Sequence, residues 1–169
     1  VIIIANAIFE IREPDNHSYD SYAAWRPERE ALRTLLDLLK NMELEIPAII
    51  GGKEVKTDRQ TDVVMPHNHG HKLGTVRPAR GGEVEQAVES ALEAREEWAA
   101  LPWEERASIY LKAADLITGP YRYTMCASTM LGQSKTPHQS EIEAVGELAD
   151  FLRFNAYYLQ QIYRNQPYS

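Results

Sequence analysis

The segment from Thr136 to about Arg164 constrains this chain most, because it reads as one helix that is apolar on two nearly opposite sides. Thr136-Pro137-His138-Gln139 offers an N-cap, a proline at the first helical position and a glutamine that can return a bond to the cap. At about 100° per residue, Val145, Leu148, Ala149, Leu152, Ala156, Leu159 and Tyr163 form one apolar stripe, and Phe151, Phe154, Tyr158 and Ile162 form another. The polar wedge between them, with Glu143, Asp150, Arg153, Gln160 and Arg164, is narrow. Such a helix is normally buried between two layers. The preceding helices can supply one layer, but the short strands make a poor second one. The pattern therefore predicts a cover from outside these residues.

The rest of the chain supports a mainly α fold with a small antiparallel β element. Residues 1–25, with Pro14-Asp15-Asn16 and scattered tyrosines, read as an extended arm, and 26–169 as a helical segment without an internal boundary. Pro27 opens a helix to about Lys40, with Leu32, Leu35, Leu36 and Leu39 on one stripe. Ala48 to Val55 reads as strand, glycine turn and strand. Val63–Met65 and Lys72–Val76 are two further strands around a His-rich turn. After Gly81-Gly82 the period becomes helical, with Val84, Val88, Ala91, Leu92 and Trp98 on one face. Pro102 starts the next helix, which ends at Gly119-Pro120, and a third runs from Tyr121 to Leu131 with Gly132 predicted as its left-handed cap. Another protein body is expected to pack on helices 83–99 and 137–163.

The net charge of −7 is spread along the chain, without the clustered Lys and Arg that phosphate binding needs, so neither a nucleic acid nor an anionic membrane is the expected partner. No apolar run is long enough for a membrane span, and Val1-Ile2-Ile3-Ile4 is too short for a signal sequence. The lone cysteine, Cys126, excludes an internal disulfide.

Few residues offer chemistry. His67, His69 and His71 alternate as metal ligands on a strand would, but Pro66 and Gly70 make the stretch a turn with no Cys or carboxylate cluster beside it. A polar turn without metal is the simpler reading. Cys126, inside the helix, reads as a small buried residue rather than a nucleophile. Leu131-Gly132-Gln133-Ser134-Lys135 lacks the spaced glycines of a phosphate loop. Glu147 falls within the second apolar stripe, one and two turns from Phe151 and Phe154. A carboxylate there either reaches water at the stripe's edge or is met by a cation.

Several blocks are recognisable. Ile49-Ile50-Gly51-Gly52-Lys53-Glu54-Val55, Pro66-His67-Asn68-His69-Gly70-His71-Lys72 and Ala91-Leu92-Glu93-Ala94-Arg95-Glu96-Glu97-Trp98 are three of them. Leu111-Lys112-Ala113-Ala114-Asp115-Leu116-Ile117-Thr118-Gly119-Pro120, Thr129-Met130-Leu131-Gly132-Gln133-Ser134-Lys135 and Asp150-Phe151-Leu152-Arg153-Phe154-Asn155 are stronger. In their order and spacing, from about Ile46 onward, the chain resembles the N-terminal part of the Δ1-pyrroline-5-carboxylate (L-glutamate γ-semialdehyde) dehydrogenases of the aldehyde dehydrogenase superfamily. The first 25 residues match weakly, and Arg26-Pro27-Glu28-Arg29 departs from the family's Ser-Pro-Glu-Arg.

The resemblance implies oxidation of glutamate semialdehyde to glutamate with NAD, the last step of proline breakdown. It implies that Glu147 stands where the family meets the substrate's α-ammonium group. It also implies that the Rossmann strands with the NAD contacts, the catalytic cysteine and the general-base glutamate lie beyond the position of Ser169. This chain alone is then expected to carry no catalytic residue and no cofactor. Two readings follow: part of an NAD-dependent dehydrogenase, whose remainder is the partner, or a truncated, inactive relative serving as a structural subunit. The implied address is the mitochondrial matrix or an inner-membrane-associated assembly in a eukaryote, and the cytoplasm in a bacterium.

Overall fold

The computed structural model of the chain describes residues 8–167, so the run Val1-Ile2-Ile3-Ile4 lies outside them. Helix α1 (Pro27–Lys40) begins on its proline, carries Glu28 and Glu30 in its first turn and Lys40 in its last, and thus matches its dipole at both ends. Leu32 enters a core with Cys126, Ala127 and Val145, and Leu35, Leu36 and Leu39 pack around it. The leucine stripe therefore faces the helices that follow.

Five strands come next: β1 (Leu44–Ile46), β2 (Ala48–Ile50), β3 (Lys53–Val55), β4 (Thr61–Met65) and β5 (Asn68–Val76). Strands β2 and β3 form the expected antiparallel hairpin, whose turn requires positive φ at Gly51 (56°) and Gly52 (74°). Strands β4 and β5 are antiparallel, with an irregular register around Val64. Strand β1 pairs parallel with β5, Leu44 opposite Gly74. That strand was not foreseen. Leu44-Glu45-Ile46 is three residues long and exposed throughout, so it has no periodic burial to reveal it.

Helix α2 (Gly81–Ala100) buries no residue, and Val84, Val88 and Leu92 are each more than half exposed. Helix α3 (Trp103–Thr118) packs against the last helix, where Trp103 stacks on Tyr163 at 5.9 Å and Arg106 donates to the Tyr163 hydroxyl at 2.7 Å. Helix α4 (Arg122–Gln133) passes through Gly132 and ends instead at Ser134, which takes the left-handed conformation at φ 58°. The Ser134 amide bonds Met130 O at 3.0 Å, and its hydroxyl meets His67 Nδ1 at 2.7 Å. This contact with the β4–β5 turn accompanies a cap two residues later than the glycine suggested.

The last helical stretch has three parts: α5 (Pro137–Ser140), a π-helical turn π1 (Glu141–Gly146) and α6 (Glu147–Arg164). The Thr136–Gln139 capping box is in place. Burial falls at Ser140 and Glu141 and again five residues later at Val145 and Gly146, which is the π period. It then returns to the α period with Ala149, Ala156 and Gln160. Of the two stripes of α6, the first packs inward at Ala149 and Ala156 and in part at Leu152 and Leu159, while Leu148 (36%) and Tyr163 (45%) keep exposed surface. The second is open, with Phe151 64%, Tyr158 52% and Ile162 60% exposed.

The arm lies along the polar wedge of α6. Residues 8–23 contain neither helix nor strand, so their backbone groups need partners elsewhere. Gln160 provides two, accepting from the Ile11 amide at 2.7 Å and donating to the Ile11 carbonyl at 3.1 Å. Asp150 accepts the His17 amide at 2.9 Å, and Glu141 accepts the Asp20 amide at 3.2 Å. At the outer end Arg164 reaches Glu10 at 3.3 Å. The arm thus runs antiparallel to α6, held by side chains rather than by a strand partner.

Its inner end is fixed at Glu141, which has no exposed surface. That carboxylate pairs with Arg122, accepts from the Tyr22 hydroxyl at 2.5 Å and lies 3.4 Å from the Cys126 thiol. Arg122 also pairs with Asp20 at 3.1 Å. Burial opposes ionisation of Glu141, yet the bonds from Arg122, Tyr22 and the Asp20 amide outweigh it and hold the carboxyl below its ordinary 4.5.

Removing the carboxylate leaves the largely buried Arg122 guanidinium with Asp20 as its remaining partner. Glu141→Leu is expected to destabilise the protein by about 3–5 kcal/mol, read as a lower urea midpoint. A second outcome concerns acid. Because the folded pKa of Glu141 is depressed, its contribution is present above pH 4.5 and is lost as pH falls through the lower folded value. His17 acts with the same sign, its pKa lowered from 6.5 by burial, then by Arg122 and Arg153. Exchange protection of the Ile11, His17 and Asp20 amides should therefore decline on acidification and not on a rise toward pH 8; loss on the alkaline side would contradict this assignment.

Candidate functional site

Glu147 is the first residue of α6, and its side chain is exposed. Helical spacing sets it on one face with Phe151, Phe154 and Tyr158, the last two rings lying 6.1 Å apart. Among the described residues no side chain hydrogen-bonds to it or pairs with it. Glu143, the preceding acid, is paired with Lys135, just beyond the cap of α4. One carboxylate is therefore neutralised and the other is left facing an aromatic strip. An anion beside electron-rich rings suits an organic cation such as a primary ammonium group.

The lone cysteine does not join it. Cys126 sits beneath π1 with no exposed surface. Burial pushes its thiol up to about 12, and the neighbouring Glu141 charge adds to the effect. A thiol held protonated and enclosed does not attack a substrate.

The three histidines are dispersed. His67 lies in the β4–β5 turn, whereas His69 and His71 lie on β5. The His71 ring meets Lys40 O at 2.7 Å, so together with His67 on Ser134 it ties the hairpin to the ends of α1 and α4. Among the described residues no group of three His, Cys, Asp or Glu side chains could hold a metal ion.

Sequence reasoning missed Glu141. It stands four residues before Val145 and eight before Ala149, in line with the buried stripe of the helix. A carboxylate continuing an apolar stripe was the available signal, hidden because its partners Tyr22 and Arg122 come from distant segments.

The model of the aldehyde dehydrogenase family matches residues 54–168. The chain is 43% identical over 162 residues to the Δ1-pyrroline-5-carboxylate dehydrogenase of Agaricus bisporus, covering 95% of this chain and 30% of that protein. It is 46% identical to the human mitochondrial enzyme of the same name over 85% of this chain and 25% of that protein. Among solved structures it is similar to the Mycobacterium tuberculosis enzyme bound with NAD, with a TM-score of 0.94, 45% identity and coverage of 98% of this chain and 31% of that one. The Agaricus bisporus and Mycobacterium tuberculosis matches, over 95% and 98% of this chain, take in most of the arm, where sequence motifs were sparse. The chain spans 25–31% of the length of these relatives. By the extent of the family match, the chain belongs to the aldehyde dehydrogenase family.

Proposed function

We propose that this chain is part of an NAD-dependent Δ1-pyrroline-5-carboxylate dehydrogenase, which oxidises glutamate γ-semialdehyde to glutamate in proline breakdown. The observation that carries this reading is identity of 43–46% over 85–95% of the chain to dehydrogenases of that one kind. The same similarity favours it over a non-catalytic structural subunit.

Within that reaction the chain's own task is recognition. Glu147 receives the substrate's α-ammonium group, and the rings of Phe151, Phe154 and Tyr158 exclude water beside it. The charge pair forms where one partner would otherwise be left bare, which favours the amino aldehyde over an analogue lacking the nitrogen. NAD, when bound to such an enzyme, takes up the hydride. The present residues do not fit that cofactor: Gly81-Gly82 opens α2, but the spaced glycines of a dinucleotide loop are missing.

The open faces of α2 and α6 are where the remainder of the dehydrogenase packs. Val84, Val88 and Leu92 on one helix, with Phe151, Tyr158 and Ile162 on the other, leave apolar surface of the kind that marks an interface. In a eukaryote the compartment is the mitochondrial matrix, since relatives from Emericella nidulans, Dictyostelium discoideum and human are described as mitochondrial. Among the described residues no helix is long and apolar enough to cross a membrane.

In the dehydrogenase that contains this chain, Glu147→Gln is expected to lower kcat/KM for glutamate γ-semialdehyde about 10–100-fold, chiefly through KM. Following NAD reduction by absorbance checks it, and unchanged kinetics would remove Glu147 from the site. The 169-residue chain by itself is expected to bind no NAD in a calorimetric titration. Specific uptake there would contradict placement of the cofactor site elsewhere.

A further inference from the structure

The direction in which α6 presents Glu147 depends on the winding that precedes it. A π turn holds one residue more than an α turn, so π1 rotates everything after it by about 100° relative to an uninterrupted α-helix. Glu147 follows π1 directly and inherits that rotation in full. A π turn is rare and occurs mostly as a single turn inside an α-helix, frequently at a functional site.

The arm grips both ends of this turn within four residues of its own sequence. At the first residue of π1, Glu141 takes the Asp20 amide and the Tyr22 hydroxyl, at 3.2 and 2.5 Å. At the last residue, Gly146 lies against the ring of Tyr19 so closely that a Cβ there would be 2.3 Å from Cε1. One end is fixed by charge and hydrogen bonds, the other by van der Waals contact. Resting on the reading of Glu147 as the ammonium acceptor, we propose that Glu141 and Gly146, clamped by Tyr19–Tyr22, are positioning residues that set the azimuth of Glu147 for the amino aldehyde. None of them touches substrate. They act through the phase of the helix: a one-residue change in winding would turn Glu147 and the aromatic strip together, away from the direction they now share.

The test compares glutamate γ-semialdehyde with 5-oxopentanoate, which keeps the chain length and carboxylate but lacks the α-nitrogen, using the complete dehydrogenase. Tyr22→Phe keeps the ring and deletes its bond to Glu141, and Gly146→Ala forces the helix or the Tyr19 ring to move. Each is expected to lower the ratio of kcat/KM for the amino aldehyde to that for 5-oxopentanoate about fivefold, through KM rather than kcat. A purely structural role would depress both substrates alike and leave the ratio unchanged, which would overturn the proposal. If Gly146→Ala does not fold, Tyr22→Phe decides alone. Glu147→Gln separates the two layers of the argument. Should it leave the ratio intact, the reading of Glu147 itself fails. Should it abolish the preference while Tyr22→Phe and Gly146→Ala preserve it, only the positioning role is lost.

Discussion

A carboxylate with no exposed surface must be met on every side, and three separate parts of the chain meet Glu141. Arg122 comes from α4, Tyr22 and the Asp20 amide from the arm, and the helix itself supplies the position through π1. Replacing such a cluster with apolar side chains of matching shape often costs a fold nothing, whereas removing one member costs several kcal/mol. Its value is therefore one of definition more than of stability. An apolar patch tolerates sliding by a residue; a carboxylate bonded to a phenol, a guanidinium and an amide does not. The arm and the π turn that opens the last helix meet there.

Much of the helical framework was legible because its signals are local. Pro27 and the acids behind it, the Thr136–Gln139 box and the leucine stripe of α1 each act within a few residues, and each stands where it was read. The hairpin at Gly51-Gly52 was likewise announced by two positions that need positive φ. The helix cap at Ser134 was not, since a contact 67 residues away at His67 accompanies it. Strand β1 escaped for a similar reason: its only structural warrant is a neighbour 30 residues downstream, Gly74 opposite Leu44.

The candidate site shows the same division. Glu147 could be placed beside Phe151 and Phe154 from spacing alone, but spacing counted from the start of the helix assumes an unbroken α period. The extra residue of π1 leaves the relations within α6 intact and changes only the relation of α6 to what precedes it. That is why the grouping of Glu147 with Phe151, Phe154 and Tyr158 is legible from spacing while the turn that sets its direction is not. Glu141 was invisible for the complementary reason, since a buried acid is intelligible only once its cation is known, and Arg122 lies 19 residues away.

The wedge of polar residues on α6 suggests the larger lesson. Asp150, Gln160 and Arg164 have the composition of a solvated edge, yet they are the face that the arm covers, and Gln160 is buried outright. The aromatic strip has the composition of a core, yet Phe151 and Tyr158 stand open. An irregular segment explains the first half of this inversion. It carries backbone donors and acceptors that no sheet satisfies, so it binds best to side chains rich in oxygen and nitrogen. With the polar side taken by the arm and the first stripe by α3, the strip bearing Glu147 is the face of α6 that the described residues leave available to another body. The recognition role proposed for Glu147 would place it at a junction between this segment and the body that packs on it, which is where substrate sites of multi-lobed enzymes are commonly assembled.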